Sequence, residues 1–239
     1  MRISKHVYKL TGIEYGINSS IYGIDTQEGI VLLDAGYQNN QWLRMKKTLE
    51  EEGLADKKIT TLFLTHCHFD HAGNVHTANE EGIHVVCAEP DASRIENGNP
   101  ESEELFHTKW ICGKVDERPV DGQKWHFGDI TVEALSAPGH TSGSYAYIIY
   151  DGDKKLLFAG DMFFVGPLSP DDGVSVELAY MGSIDFTLEG FVNTLKRVSQ
   201  LHCDVLLTGH YYPYFGDVDE VARRAYEEAL ALLKKKEEA

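Results

Sequence analysis

Six short apolar runs, most of them closed by Gly, Asp or His, constrain what this chain can fold into. They are G-I-V-L-L-D-A-G from Gly29, I-T-T-L-F-L-T-H from Ile59, I-H-V-V-C-A from Ile83, Y-A-Y-I-I-Y-D from Tyr145, K-L-L-F-A-G-D from Lys155 and C-D-V-L-L-T-G-H from Cys203. Runs this short and this apolar, bounded by turn formers, read as β-strands. Helical patterns lie between them. Trp42 to Glu52 carries Leu43, Met45 and Leu49 before a stop at Gly53, and Thr187 to Leu201 is a second helix. Val218 to Lys236 lines up Val221, Ala222, Ala225, Ala229 and Leu232 on one stripe, and Lys234 to Lys236 sit where a helix C-terminus favours positive charge. Strands alternating with helices predict an α/β chain. With 239 residues, 42% of them hydrophobic, no Pro-, Gly- and Ser-rich linker and no internal repeat, residues 1–239 read as a single domain.

The formal net charge of -16 repels a phosphate backbone, so nucleic acid is not an expected partner. The opening M-R-I-S-K-H-V-Y-K-L has no continuous apolar stretch, and no run is long enough to span a membrane. The expectation is a soluble cytoplasmic protein with a small-molecule substrate; the oligomeric state is open, a homodimer included. Cys67, Cys87, Cys112 and Cys203 form no C-x-x-C pair, so neither a zinc knuckle nor a disulfide framework is indicated, and each reads as a small packing residue.

The polar residues that close the runs carry the chemistry. Leu64 to Gly73 reads L-T-H-C-H-F-D-H-A-G. In an extended segment His66, His68 and Asp70 share one face while Cys67 and Phe69 point the other way, and a turn through Asp70 to Gly73 is then needed to bring in His71. On a helix the same residues would scatter. Asp34, Asp161 and His210 close three further runs, and His140 sits in a P-G-H-T turn before another. Loops at strand ends are where rigid scaffolds place functional groups. Imidazoles and carboxylates at this density suit a divalent metal, zinc first, with iron or manganese as rivals.

The ordered set Asp34, then His66, His68, Asp70 and His71, then His140 in A-P-G-H-T-S-G-S, then Asp161 in L-F-A-G-D, then His210 in L-L-T-G-H resembles the pattern of the metallo-β-lactamase-fold hydrolases. The resemblance implies a four-layer αββα sandwich with two metals in a groove at one edge. By carry-over, His66, His68 and His140 would hold one metal, Asp70, His71 and His210 the other, and Asp161 would bridge them. Asp34 would fix the ligand loop through hydrogen bonds without binding metal. His6, His76, His84, His107, His126 and His202 match no motif and read as structural or exposed.

Two divalent ions offset by Asp70 and Asp161 leave excess positive charge, enough for a bound water to lose a proton near neutral pH and attack a carbonyl. His66, His68, Asp70 and Asp161 are therefore the expected catalytic set. Cys67 should face away from the site and serve packing. The familiar zinc β-lactamases carry Cys at the position of Asp161, which argues against β-lactams. G-D-M-F-F-V-G-P from Gly160 resembles the glyoxalase II type, but the 29 residues after His210 leave no room for that type's glutathione-binding region. The expected reaction is hydrolysis of a small ester, thioester or lactone. The alternative is a mononuclear-iron sulfur dioxygenase of the same fold, using the counterparts of His66, His140 and Asp161. Residues 89–127, a polar insertion, and residues 162–186, with Phe163, Phe164, Tyr180 and Met181, are expected to shape the pocket; Tyr211 and Tyr212 stand ready to place a hydroxyl near the metals.

Overall fold

The structure, a computed structural model, describes residues 1–13, 16, 19–37, 39–169, 173–179 and 185–238. Its first half runs β1 (Val7–Thr11), β2 (Ile21–Thr26), β3 (Gly29–Leu33), α1 (Asn39–Glu51), β4 (Ile59–Phe63), α2 (Phe69–Ala72), α3 (Val75–Glu80), β5 (His84–Val86), α4 (Asp91–Asn97) and α5 (Pro100–Phe106). The second half runs β6 (Lys124–Phe127), β7 (Ile130–Ser136), β8 (Tyr145–Asp151), β9 (Lys154–Phe158), β10 (Phe163–Ser169), β11 (Gly173–Leu178), α6 (Leu188–Val198), β12 (Val205–Leu207) and α7 (Val218–Glu237). Two five-stranded sheets form, in the orders β1-β2-β3-β4-β5 and β12-β9-β8-β7-β6, with β10 and β11 as a separate hairpin.

The apolar runs are continuous because their strands are covered on both faces. On β3, Ile30 and Leu32 pack outward with Trp42, Met45 and Leu49 of α1 and Val75 and Ala78 of α3. Val31 and Leu33 point inward and meet Tyr147 and Ile149 of β8, Leu156 and Phe158 of β9 and Leu207 of β12. The outer face of the second sheet, with Ile148, Leu157 and Leu206, is covered by Phe191 and Leu195 of α6 and by Val221, Ala225 and Ala229 of α7. Helices, sheet, sheet, helices: this is the expected αββα sandwich.

The predicted helices match α1, α6 and α7 to within a few residues at each end, and all six apolar runs contain a strand. Strands β1, β2, β6, β7, β10 and β11 add to that reading. Polar residues or glycine interrupt the apolar pattern in several of them: Lys9 lies in β1 and is fully buried, and Gly23 and Asp25 lie in β2. A Cβ at Gly23 would stand 2.7 Å from Leu10 Cδ1, so the Leu10 side chain would have to shift to admit one.

Residues 89–127 differ from expectation. They are no open pocket loop: α4 and α5 bury Asp91, Ala92, Ile95 and Ser102, Trp110 and Val115 follow into the first outer core, and β6 closes the segment as an edge strand. The periodicity of two short helices is too brief to stand out in a polar stretch.

Parallel pairing positions the functional ends. β3 runs parallel to β4, and β12 parallel to β9, so Asp34, His66, Asp161 and His210 all emerge beyond strand C-termini. Hydrogen bonds stitch the sheets together at that edge: Tyr147 Oη donates to Leu64 O at 2.9 Å, Tyr145 N to Thr65 O at 2.8 Å and Ser20 N to Gly209 O at 2.8 Å.

Two stability tests follow. Phe63 bridges the layers, its ring centroid 4.7 Å from that of Trp125 and 5.1 Å from that of Tyr147. Phe63→Ala should cost roughly 3–5 kcal/mol in urea unfolding. Asp151, at the end of β8, accepts from Ser4 Oγ at 2.6 Å and His6 N at 3.0 Å and faces His6 Nδ1 at 2.6 Å. Burial alone would raise its carboxyl, but these hydrogen bonds outweigh burial and hold it below the usual carboxylate value. A depressed carboxylate contributes stability above its unfolded pKa and loses it as pH falls through the folded value. Asp151→Asn should therefore lower stability by about 1 kcal/mol at neutral pH, the gap closing below the carboxylate range.

Candidate metal centre

Chain geometry after β4 converges the ligands. The extended path continues through His68, whose φ and ψ are -65° and 150°, and α2 begins at Phe69. The extended reading of the sequence thus ends two residues before Asp70; Asp70 and His71 turn inward on the first turn of a short helix, while Cys67 packs into the outer core, 2% exposed. His140 comes from the β7–β8 turn, Asp161 from the end of β9 and His210 from the end of β12.

The seven residues meet in three overlapping groups: His66, His68 and His140; His66, His71 and Asp161; and Asp70, His71 and His210, with candidate donor atoms in each group within 4.8 Å of one another. His210 Nε2 lies 3.1 Å from Asp161 Oδ2 and 3.3 Å from Asp70 Oδ2, and His71 Nε2 lies 3.4 Å from Asp161 Oδ1. His140 Nε2 is 3.1 Å from His68 Nδ1 and 3.7 Å from Asp161 Oδ2. Two ligands bound tetrahedrally at zinc distances stand about 3.4 Å apart, so these spacings fit a shared ion. His66 Nε2 and Asp161 Oδ1 are buried without a hydrogen-bond partner, which a core tolerates where a cation takes the lone pair.

The far side of the rings is anchored. A carbonyl or carboxylate can only accept, so His140 Nδ1 donates to Ala179 O at 2.8 Å and His71 Nδ1 to Asp34 Oδ2 at 2.7 Å. Both rings thereby present Nε2 to the centre. Asp34 is fully buried at φ 61°, and it also accepts from Thr65 N at 2.8 Å and from Thr65 Oγ1. Burial raises its carboxyl, and His71 and Thr65 oppose that rise. Thr65 Oγ1 in turn lies 3.0 Å from His66 Nδ1.

Charge inside the site is divided. Burial and the neighbouring imidazoles His71, His68 and His140 hold His66 well below its ordinary value, and burial and His140 bring His68 down to about 3. Both rings are therefore neutral donors. Burial also disfavours charge on His71 and His210, but Asp161 and Asp70 outweigh it, raising His71 strongly and His210 to about 10. Asp70 and Asp161 are correspondingly held low against their own burial, chiefly by His71 and by His210 respectively. This is a buried anionic site that demands positive charge.

Asp91 of α4 is a residue that sequence reasoning missed. Its Oδ2 accepts from Cys67 N at 2.9 Å and from Thr141 Oγ1 at 2.7 Å, tying the His66–His68 loop to the His140 turn. Arg94 Nη1 reaches its other oxygen at 3.2 Å, while Asn99 Nδ2 donates to Cys67 O and Phe69 N donates to Ser102 Oγ. The 89–127 segment therefore buttresses the ligand loop from behind. A lone Asp in A-E-P-D-A-S-R-I gives no signal of this. Gly209 is equally hidden, since a Cβ there would stand 2.2 Å from Asp161 Oδ1.

Of the expected pocket residues, Phe164 packs 5.3 Å from His210 and 5.4 Å from Tyr211 by ring centroid, whereas Phe163 is fully buried in the second outer core. Tyr211 and Tyr212 line a cavity beside the centre, and Tyr212 is 56% exposed. Tyr180 and Met181 lie outside the described residues. His6, His84 and His202 pair with Asp151, Glu117 and Asp219, away from the centre.

Comparison with known proteins gives the family and the fold. The hydroxyacylglutathione hydrolase of Bartonella tribocorum is 30% identical over 156 residues, 64% of this chain and 49% of that protein, so the match spans about half the relative's length. Human acyl-coenzyme A thioesterase MBLAC2 is 26% identical over 215 residues, 76% of this chain and 75% of that one. The FEZ-1 metallo-beta-lactamase of Legionella gormanii superposes with a TM-score of 0.76 at 19% identity, covering 100% of this chain and 97% of that one. The family model described as the metallo-beta-lactamase superfamily matches residues 14–210, a span that takes in every one of the converging ligands, and the chain belongs to that superfamily of metal-dependent hydrolases.

Proposed function

We propose that this chain is a dinuclear metal hydrolase that cleaves a small ester, thioester or lactone. The observation that carries the reading is the convergence of His66, His68, His140, Asp70, His71 and His210 on either side of Asp161. His66, His68 and His140 would hold one ion, Asp70, His71 and His210 the second, with Asp161 between them. Zinc suits this nitrogen and oxygen donor set best. When bound, such a pair supplies Lewis acidity that polarises a carbonyl and makes a water molecule a nucleophile near neutral pH.

The chain's own residues do the rest. Asp34 and Ala179 O aim His71 and His140, and Asp91 keeps the two ligand loops in register. Cys67 cannot compete as a nucleophile: it is buried, and burial followed by the charge of Asp91 pushes its thiol well above the ordinary value. Asp161 and the thioester chemistry in the names of the two sequence relatives support a thioester or related carbonyl substrate. The net charge of -16 supports a free small molecule of low negative charge over nucleic acid, and no helix among the described residues is long and apolar enough to cross a membrane. We place the activity in the cytoplasm.

Metal analysis is the first test. Protein purified without added metal should carry about two zinc ions per chain, with affinity falling as pH drops because protons compete first for His71 and His210, which the carboxylates raise above the ordinary imidazole value. Chelation should abolish hydrolysis of acetyl thioesters and zinc should restore it. One tightly bound iron with oxygen consumption would sink the proposal in favour of the dioxygenase.

Substitution separates ligand from packing roles. Asp161→Asn should lose metal and activity together. Gly209→Ala, which crowds Asp161, should lower kcat roughly 10–100-fold with the fold retained. Cys67→Ser should keep its metal content and most activity; an inactive Cys67→Ser with both metals bound would revive a covalent route.

A further inference from the structure

A cavity of about 620 Å³ opens beside the metal centre, between the β10–β11 hairpin and the segment that follows His210. Val165, Val174, Tyr211, Tyr212, Tyr214 and Phe215 form most of its wall. It is one residue from the centre along two stretches of chain. Tyr211 follows His210 directly, and Val165 follows Phe164, whose ring stands against both His210 and Tyr211.

Much of the backbone of the wall already has hydrogen-bond partners. Tyr211 O accepts from Lys9 Nζ, and Tyr212 O from Thr208 Oγ1 at 3.1 Å. Tyr214 exchanges both backbone hydrogen bonds with Leu206, and Val174 O accepts from Arg224 Nη1 at 2.6 Å. With those backbone groups already engaged, a guest meets mainly aliphatic and aromatic surface, and the polar points left to it are the tyrosine hydroxyls and Glu177. Among the described residues of the wall only Glu177 is charged, and its sign repels an anionic handle. Tyr212 and Phe215, each 56% exposed, leave apolar surface for a guest to cover.

We propose that this cavity binds an aliphatic chain attached to the scissile carbonyl group. This rests on the hydrolase reading of the adjacent centre and narrows it to carbonyl compounds bearing a medium-length hydrocarbon chain. The volume lies within the usual range for small-molecule sites. The chain can belong to the acyl group or to the leaving group, and both present the same chemistry to the wall.

Two substrate series and one binding assay test the proposal. Zinc-loaded protein is assayed on thioesters whose acyl group grows from two to ten carbons with a short leaving group, and on acetyl thioesters whose leaving group grows likewise. At least one series should gain about fourfold in kcat/KM per methylene until the cavity is filled, and the series that gains identifies the side that enters. Separately, 1-decanol, which is uncharged, should displace N-phenyl-1-naphthylamine from the protein saturably, with no substrate present. Phe215→Asp and Tyr212→Asp, both at exposed wall positions, should each weaken that displacement at least tenfold while zinc content and melting temperature stay near wild type, and Val120→Asp, on an exposed site outside this wall, should not. Flat profiles in both series, or decanol binding untouched by both cavity variants, would overturn the proposal. If acetyl thioesters are not cleaved at all, the hydrolase reading fails, and decanol displacement still reports on the cavity by itself.

Discussion

Asp34 shows the constraint on which the rest of this structure depends. A metal centre buried in a protein needs every donor to keep a lone pair facing inward, and a ring is held in that orientation only by what its other side touches. Asp34 accepts from His71 Nδ1, Thr65 N and Thr65 Oγ1, so one buried carboxylate sets the orientation of a ring and the path of the chain that carries His66 and His68. Asp91 plays the matching part behind Cys67 and Thr141, and Ala179 O behind His140. These contacts join segments far apart in sequence, which is why the centre depends on the whole sandwich.

The same constraint explains where charge is spent in the core. Asp34 and Asp161 are buried, with Asp70 close by, and their fields raise His71 and His210 against the cost of burial. His66 and His68, farther from effective carboxylate support and beside other imidazoles, are pushed the opposite way. A site built in this fashion is poorly matched to an apolar core and well matched to divalent cations. Space is as tightly assigned as charge: Gly209 admits Asp161, and Gly160, at φ 52°, lets the chain pass Thr65, whose Cβ an added methyl would meet at 2.8 Å.

The cavity proposed to bind substrate is separate from this machinery. The metal centre sits on strand ends that two packed sheets hold fixed, whereas the adjoining cavity is walled by a hairpin outside both sheets and by the 211–216 segment. The proposed division, with chemistry on the rigid part and substrate selection on the appended part, is the one expected where one scaffold serves many substrates.

Much of this was legible in the sequence. Strands β3, β4, β8, β9 and β12 read clearly because burial on both faces demands unbroken apolar runs, and Asp34, His66, Asp161 and His210 stood out because nothing in packing asks for them at the ends of such runs. Strands β1 and β2 were less legible, since Lys9 and Asp25 interrupt the pattern and find distant partners such as Tyr211 O and Lys57. The sequence by itself determined the alternation of strands and helices, the clustering of imidazoles and carboxylates at strand ends and the expectation of a divalent metal, because hydrophobic pattern and donor chemistry are properties of residue type and spacing; the αββα layering and the sorting of ligands between two ions came only with the resemblance of the ordered motif set. Only the tertiary structure decided that residues 89–127 brace the ligand loop, that Asp91 and Gly209 belong to the centre, and that an apolar cavity adjoins it, because hydrogen-bond partners and enclosed space arise between segments that the chain order leaves unconnected.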